Sequence, residues 1–418
     1  ALDAARRAAA SAAGAAQHAE AAAEGWLGRP AADTPPPQHT ACESAGPAPG
    51  ALEDGLFAQG DSVSYWRSWR SPERPVDALG LGLAAAVQSG DPGYWGYHLA
   101  RSAWFAGQGA VGLAASAALT GGQTADGLRR AYSSGGRLAA EAVATFARDH
   151  KNIAEGLYPR PYDMDPRHRQ FNPLFVAEKS ARFVAEAVRT LRRRKEGVAE
   201  DVWLKSGMYP DYYLSTFHYQ TDGWLSEGSA KVYETSTETL FLGRQDAMQR
   251  HALIPLAAHL RGLGGEGRLL ELACGTGRFH TFVRDAFPGL SSVALDLSPF
   301  YLQEARENMA HWREVRRPER EGPTEFVQAP AEEVPYPDAE FDAAVCVYLF
   351  HELPPEARDA VAREAARVVK PGGVFVLADS IQLGDRPLLD GNLGAFGDFN
   401  EPHYRSYIAT DLAELFGR

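Results

Sequence analysis

An α/β fold, with a parallel sheet in the carboxyl-terminal part of the chain and a mostly helical extension before it, is predicted by three observations. From Gly267 onward, short apolar runs alternate with helical patterns, the texture of βαβ units. A glycine-bearing turn, Glu271-Leu272-Ala273-Cys274-Gly275-Thr276-Gly277-Arg278, joins the first of these runs to the first helix. An acid, Asp296, ends the next run, 19 residues after Gly277.

The elements follow in order. Apolar runs predict strands at 268–272, 292–295, 325–328, 342–347 and 374–377, with helices at 279–287, 299–312 and 355–369 and a helical turn within 331–333. Upstream, Pro173 to Gly197 repeats apolar residues near the 3.6-residue period, at Phe175, Val176, Phe183, Val184, Ala187, Val188 and Leu191. It ends in the basic run Arg192-Arg193-Arg194-Lys195, read either as a solvated last turn or as a docking patch. A second long helix is expected from about Ser229 to Leu260, broken or kinked near Pro255.

A length of 418 residues is two or three ordinary domains. The expected division is a low-complexity Ala/Pro-rich segment at 1–60, a small helical region at 61–150, a helical cover on the acceptor side at 151–265 and a ligand-binding domain at 266–418. Ala supplies 19 of the first 50 residues, so the 45% hydrophobic content overstates the burial available there. A net charge of -12 argues against a protein held by nucleic-acid phosphates. The uncharged stretch from Ser102 to Ala125 is built from Ala, Gly, Ser and Thr and carries two Gln, so no stable membrane span is expected. Three cysteines, none at CxxC spacing, point to a reducing compartment, with Cys274 and Cys346 as buried small hydrophobes. The Ala- and Arg-containing opening is that of a processed organelle-targeted protein or of a trimmed chain.

The glycine turn lets a ligand approach backbone without a Cβ in the way. Asp296, at the end of the adjacent strand, suits two vicinal ribose hydroxyls, so the pair indicates a nucleoside ligand. A dinucleotide-binding turn requires a third glycine, where this chain has His280.

These residues, together with Ala331-Glu332-Glu333-Val334-Pro335-Tyr336, Phe341-Asp342, the run from Ala344 to Tyr348 and Val369-Lys370-Pro371-Gly372-Gly373, resemble a class I S-adenosylmethionine-dependent methyltransferase over about 150 residues. The resemblance implies a Rossmann-like sheet with S-adenosylmethionine as cofactor. By the same resemblance Glu271 faces the methionine amino group, Ala273 and Gly275 offer backbone around the methionine part, and Gly277 allows close approach. Asp296 holds the ribose, Leu297 lies along the adenine, and Ala331 with Glu332 borders the adenine edge, with Tyr348 beside the pocket. Many relatives carry Asp just before the Ala-Glu pair, where this chain has Pro330, so adenine recognition falls to backbone or to Glu332.

The phrases Tyr209-Pro-Asp-Tyr-Tyr, Phe217-His-Tyr-Gln-Thr-Asp-Gly-Trp and Val232-Tyr-Glu-Thr-Ser-Thr-Glu-Thr-Leu-Phe-Leu-Gly-Arg-Gln-Asp resemble an uncharacterised methyltransferase-like family of plants, algae and cyanobacteria. Tyr348-Leu-Phe-His-Glu-Leu-Pro and Asp379-Ser-Ile-Gln-Leu-Gly-Asp-Arg-Pro belong to the same likeness, which implies a chloroplast address, in the stroma or associated with thylakoids.

Methyl transfer asks the protein to align a nucleophile and, for some acceptors, to remove its proton. His351 is a candidate general base or a capping residue, and Tyr233 a lid over the methionine part or a core residue. Arg244, Glu352 and Asp379 are further acceptor-side candidates, as are His218 and His403. No metal-ligand spacing is evident. Only 39 residues follow Asp379, and they show no pattern for a final hairpin, so the sheet is expected to lack its last strands. Two functions follow as expectations. One is methyl transfer to a small-molecule acceptor. The other is a methyltransferase-like subunit or assembly factor, with a protein partner met through the N-terminal extension or the incomplete C-terminal edge.

Overall fold

A computed structural model describes residues 55–59, 63–67, 75–120, 141–196, 202–216, 220, 222–385, 390, 393 and 401–417. Most of the segment expected to be low in complexity, and the basic run's side chains, lie outside the described parts. An antiparallel hairpin, β1 (Gly55–Gln59) and β2 (Val63–Arg67), comes first. Helices α1 (Pro75–Ser89), α2 (Pro92–Thr120), α3 (141–154), α4 (Pro173–Glu196), α5 (Glu227–Leu240), α6 (Gln245–Arg250) and α7 (Leu253–Gly262) follow.

The expected α/β unit begins with β3 (Arg268–Leu272), α8 (Arg278–Ala286), β4 (Ser291–Asp296), α9 (Pro299–Arg316) and β5 (Thr324–Gln328). It continues with β6 (Phe341–Val347), α10 (Pro355–Val368) and β7 (Val369–Ala378). These strands form one parallel sheet of Rossmann-like type, in the order β5-β4-β3-β6-β7. Leu270, Leu272, Ala344 and Cys346 face α10 on one side, through Val361, Ala365 and Val368. Leu269, Ala343 and Val345 face α7 and α8 on the other, through Leu256, Leu260, Phe282 and Val283. Burial on both faces explains why these strands read as continuous apolar runs rather than alternating ones.

Three expectations are corrected. The long helix breaks twice: at His251 and Ala252, just before Pro255 as expected, and also at Leu242 and Gly243, both in the left-handed region (φ 54° and 77°), which was not expected. Pro255 is the third residue of α7, in the first turn, where its missing N–H breaks no helical hydrogen bond. Gly243 is also close-packed, since a Cβ there would come within 3.1–3.2 Å of the Arg101 and Ser102 backbone. Residues 331–333 form a turn rather than a helix. Where the sequence predicts one terminal helix from Tyr407 to Phe416, there are two short ones, α11 (Tyr404–Ile408) and α12 (Leu412–Gly417). They pack Tyr404, Tyr407, Ile408 and Leu415 on the α10 face of the sheet. Arg358 anchors them, donating to the carbonyls of Phe350, Leu353 and His403 and to the hydroxyls of Thr410 and Ser406.

The helical extension is joined to the sheet by buried charge. Arg278, the first residue of α8, pairs with Asp246 of α6 and with Asp163 (2.7 Å). Asp246 also pairs with Arg101 of α2 at 2.8 Å, and Arg101 with Glu238 of α5 at 2.8 Å. Among the described residues no helix is long and apolar enough to cross a membrane.

Candidate functional site at the carboxyl edge of the sheet

Strands β3, β4, β6 and β7 end together, and the turn after each carries polar or strained residues. After β3, Ala273 (φ 54°), Gly275 (φ 55°) and Gly277 (φ 70°) all adopt left-handed backbone, and Tyr348 after β6 does the same (φ 60°). For Ala273 and Tyr348 this conformation costs of order 1–2 kcal/mol each, strain of the kind stored at functional turns. Gly275 has open space where a Cβ would stand, with only Tyr301 Cδ1 at 4.0 Å. Gly277 does not: a Cβ there would sit 2.9 Å from Ala305 Cβ. Its glycine therefore serves the close crossing of α8 and α9 and the start of α8, rather than an open approach.

Asp296 ties the two turns together. Its carboxylate accepts from the Gly275 N–H and the Ser298 N–H, both at 2.8 Å. Burial pushes the carboxyl up to about 6, against the pull of those two backbone donors. Each oxygen keeps a lone pair for a further donor, so a vicinal diol lying over Gly275 would be accepted by both. The open face of Gly275 and this carboxylate fit the nucleoside part of S-adenosylmethionine. Leu297 beside it is buried with Val202, Tyr209 and Leu225, and Ala331 is buried in the α10-side core.

Glu271 is buried on the α8 face, and one of its oxygens lies 2.7 Å from His280 Nδ1. His280 is in turn 3.0 Å from Ser292 Oγ. The histidine that replaces a third glycine thus fixes the acid of the glycine turn.

Helix α5 crosses the mouth of the turn, entered through Ser226, whose hydroxyl accepts from the Ser229 N–H. Tyr233 meets Tyr301 edge to face at 5.4 Å, and burial raises its hydroxyl pKa, with Glu352, Tyr348 and Asp296 adding to the rise. Glu234 accepts from the Thr276 hydroxyl at 2.9 Å and from Asn308 at 2.7 Å. Arg244 lies beyond the break, at the entry to α6.

His351 is held between carboxylates. Asp379, at the end of β7, approaches Nδ1 at 2.5 Å and accepts from the Phe350 N–H at 2.7 Å. Glu352 pairs with Nε2 at 3.0 Å. Burial disfavours the cation, but the two carboxylates outweigh it and hold the imidazole pKa well above its ordinary value. The resting form is an imidazolium, so acting as a base would require one nitrogen to be released first. Glu401 joins His351 and Glu352 to place one ligand-type atom from each within 4.8 Å of the others. Because both imidazole nitrogens are already engaged, the group reads as an ion-paired proton site. His403 stands near Tyr212, with ring centres 6.4 Å apart, and His218 lies outside the described residues.

Several contributors were invisible in the sequence: Glu234, the Asp379 partnership with His351, and Tyr212, whose hydroxyl donates to Glu332. Tyr212 and Glu332 are 120 positions apart, and no spacing rule connects them.

Residues 269–373 match a family described as a methyltransferase domain. The chain is 30% identical over 112 residues to an uncharacterized methyltransferase of Synechocystis, covering 27% of this chain and 46% of that one. It is 31% identical over 147 residues to a fatty-acid O-methyltransferase of Mycolicibacterium smegmatis (35% and 49% covered). It is 30% identical over 151 residues to a demethylmenaquinone methyltransferase of Deinococcus radiodurans (36% and 56%). The chain spans about half the length of these curated relatives. The matched segment, from the second residue of β3 into β7, is thus similar to a methyltransferase domain.

Proposed function

We propose that this chain transfers a methyl group from S-adenosylmethionine to a small-molecule acceptor, with residues 266–418 as the catalytic domain and 151–265 as the acceptor-side cover. The observation that carries the reading is the linkage of two strand-end turns by one carboxylate, with Asp296 accepting from the Gly275 N–H at 2.8 Å. That arrangement presents open backbone and a diol-binding acid on one edge.

When bound, the cofactor supplies a methyl group on a sulfonium, a built-in leaving group. The chain's own task is to position the acceptor and exclude water. Tyr233 and Tyr301 wall the site from the α5 and α9 sides, and Tyr348 closes it from β6. His351, with Glu352 and Asp379, places an ordered charged group where an acceptor's proton can be handled. The fatty-acid and quinone relatives lead us to propose a lipid-like or quinone-like acceptor, and the resemblance to plant, algal and cyanobacterial proteins leads us to propose action in a plastid.

Calorimetry with S-adenosylhomocysteine tests the reading. The full chain should bind it, and Asp296→Ala should weaken binding by roughly tenfold or more, the scale of a lost charged hydrogen-bonding partner. A well-folded protein that binds neither S-adenosylmethionine nor its product would refute the proposal.

A further inference from the structure

Thr276 stands between Gly275 and Gly277, both in left-handed backbone (φ 55° and 70°), and is itself buried. Backbone bonds fix the ends of this turn, the Cys274 N–H donating to the Leu295 carbonyl at 2.9 Å and the Gly277 N–H to the Cys274 carbonyl at 2.8 Å. Its middle is held by side chains from two helices. The Thr276 hydroxyl donates to Glu234 of α5 at 2.9 Å, and the Thr276 carbonyl accepts from the Asn308 amide of α9 at 2.8 Å. The same amide nitrogen donates to the same Glu234 oxygen at 2.7 Å, so the three residues close on one another. The amide oxygen of Asn308 accepts from the Arg169 guanidinium, which settles the way the amide faces. Burial opposes ionisation of Glu234, but Arg278, Lys179 and Arg169 outweigh it and hold its carboxyl pKa below the ordinary value. The carboxylate therefore only accepts, from Thr276 and Asn308 alike. Glu234 lies outside the segment, 269–373, that matches a methyltransferase domain.

We propose that Glu234 is a positioning residue: acting through Thr276, it sets the shape of the glycine turn and thereby the strength with which the turn receives the cofactor. This rests on the cofactor reading above. Glycine places no side-chain constraint on its own backbone, so of residues 275–277 only Thr276 offers a side chain by which the turn can be held. Swinging Thr276 away from Glu234 would turn the adjoining Gly275 peptide. With it would move the N–H that Asp296 accepts at 2.8 Å and the open face beside it. A turn already held in shape binds without first being ordered, whereas a loosened one loses part of the binding free energy to ordering. Because Glu234 belongs to α5, the seating of the helical extension and the cofactor affinity of the sheet domain are linked, and such linkage is reciprocal.

The test is calorimetry with S-adenosylhomocysteine on full-chain variants, below the melting transition of each, alongside their melting temperatures. Thr276→Val keeps the shape of the side chain, removes its donor and should weaken binding by about fivefold. Thr276→Ser retains the hydroxyl and should bind within about twofold of wild type. Glu234→Gln keeps an oxygen that accepts from Thr276 and Asn308, but loses the charge that Arg278, Lys179 and Arg169 face. It should lower the melting temperature more than Thr276→Val does, yet bind within about twofold of wild type. Glu234→Ala should weaken binding by about fivefold or more, and adding Thr276→Val to it should cost less than about a further twofold, because both remove the same contact. Affinity that follows melting temperature across the set, or wild-type affinity in both Thr276→Val and Glu234→Ala, would overturn this inference and leave the cofactor reading standing. Failure of well-folded wild-type protein to bind would overturn the cofactor reading, and this inference with it.

Discussion

Asp296 is a buried acid that costs stability at the position where we propose that it binds the cofactor. Its carboxyl, raised by burial from 3.8 to about 6, holds its proton more tightly in the folded protein than in the unfolded chain. Stability therefore falls as pH rises from about 4 to about 6, and the deficit persists above that range. A change of that size corresponds to about 3 kcal/mol at most. Asp296→Asn should accordingly raise the melting temperature of the ligand-free protein more at pH 7.5 than at pH 5, while S-adenosylhomocysteine binding is weakened. A larger gain at pH 5 would contradict the sign. His351 is the opposite case, a base whose folded pKa is raised by Asp379 and Glu352 despite burial. Its stabilisation is complete below the ordinary histidine range and is lost only as pH climbs through the raised value. Asp379→Asn should lower the pH at which the His351 ring gives up its proton, followed by the nitrogen shifts of the imidazole in NMR spectra. An unchanged titration would rule out Asp379 as the residue that holds the cation.

At the scale of elements, the glycine turn does two jobs with two glycines. Gly275 leaves an open face, whereas Gly277 lets α8 and α9 cross, since a Cβ there would stand 2.9 Å from Ala305 Cβ and 3.1 Å from its Cα. Gly277→Ala should therefore destabilise the protein by about 1–3 kcal/mol in urea denaturation, from left-handed strain and overpacking together. The strands and the helices that cover them were legible as runs and periods. The three inner strands, β4, β3 and β6, lie within a residue of where the apolar runs put them, because burial on both faces leaves little else for those runs to be, whereas the edge strand β7 begins five residues before its run. The break before Pro255 was legible from the proline, whereas the one at Leu242 and Gly243 was not, because there the chain turns to meet the α2 backbone, a tertiary demand.

Across the whole molecule, the helical extension is part of the same charged core as the sheet domain. Asp246 receives both Arg101, from α2, and Arg278, from α8. Removing either arginine leaves a buried carboxylate short of a partner, which should cost about 3–5 kcal/mol. Because the two share Asp246, the effects of Arg101→Ala and Arg278→Ala should not add. A double-mutant cycle should give a coupling of roughly 1 kcal/mol or more, and strict additivity would show that the extension and the sheet are energetically separate. The same connectivity explains why the site was only partly legible. Gly275, Asp296 and their strand-end setting follow from local order along the chain, whereas Tyr212, Glu234 and Asp379 reach their partners across 120, 42 and 28 positions respectively.

By itself, the sequence determined the parallel sheet and its turn with the acid on the next strand, on which the proposal of a nucleoside cofactor rests, because these depend on short-range pattern and on backbone that only a few residue types tolerate. Tertiary structure alone decided which groups close the site. The Tyr212–Glu332 contact, the imidazolium held between Asp379 and Glu352, and the seating of Glu234 on Thr276 depend on packing across helices, where burial sets both the partners and the charge of each group.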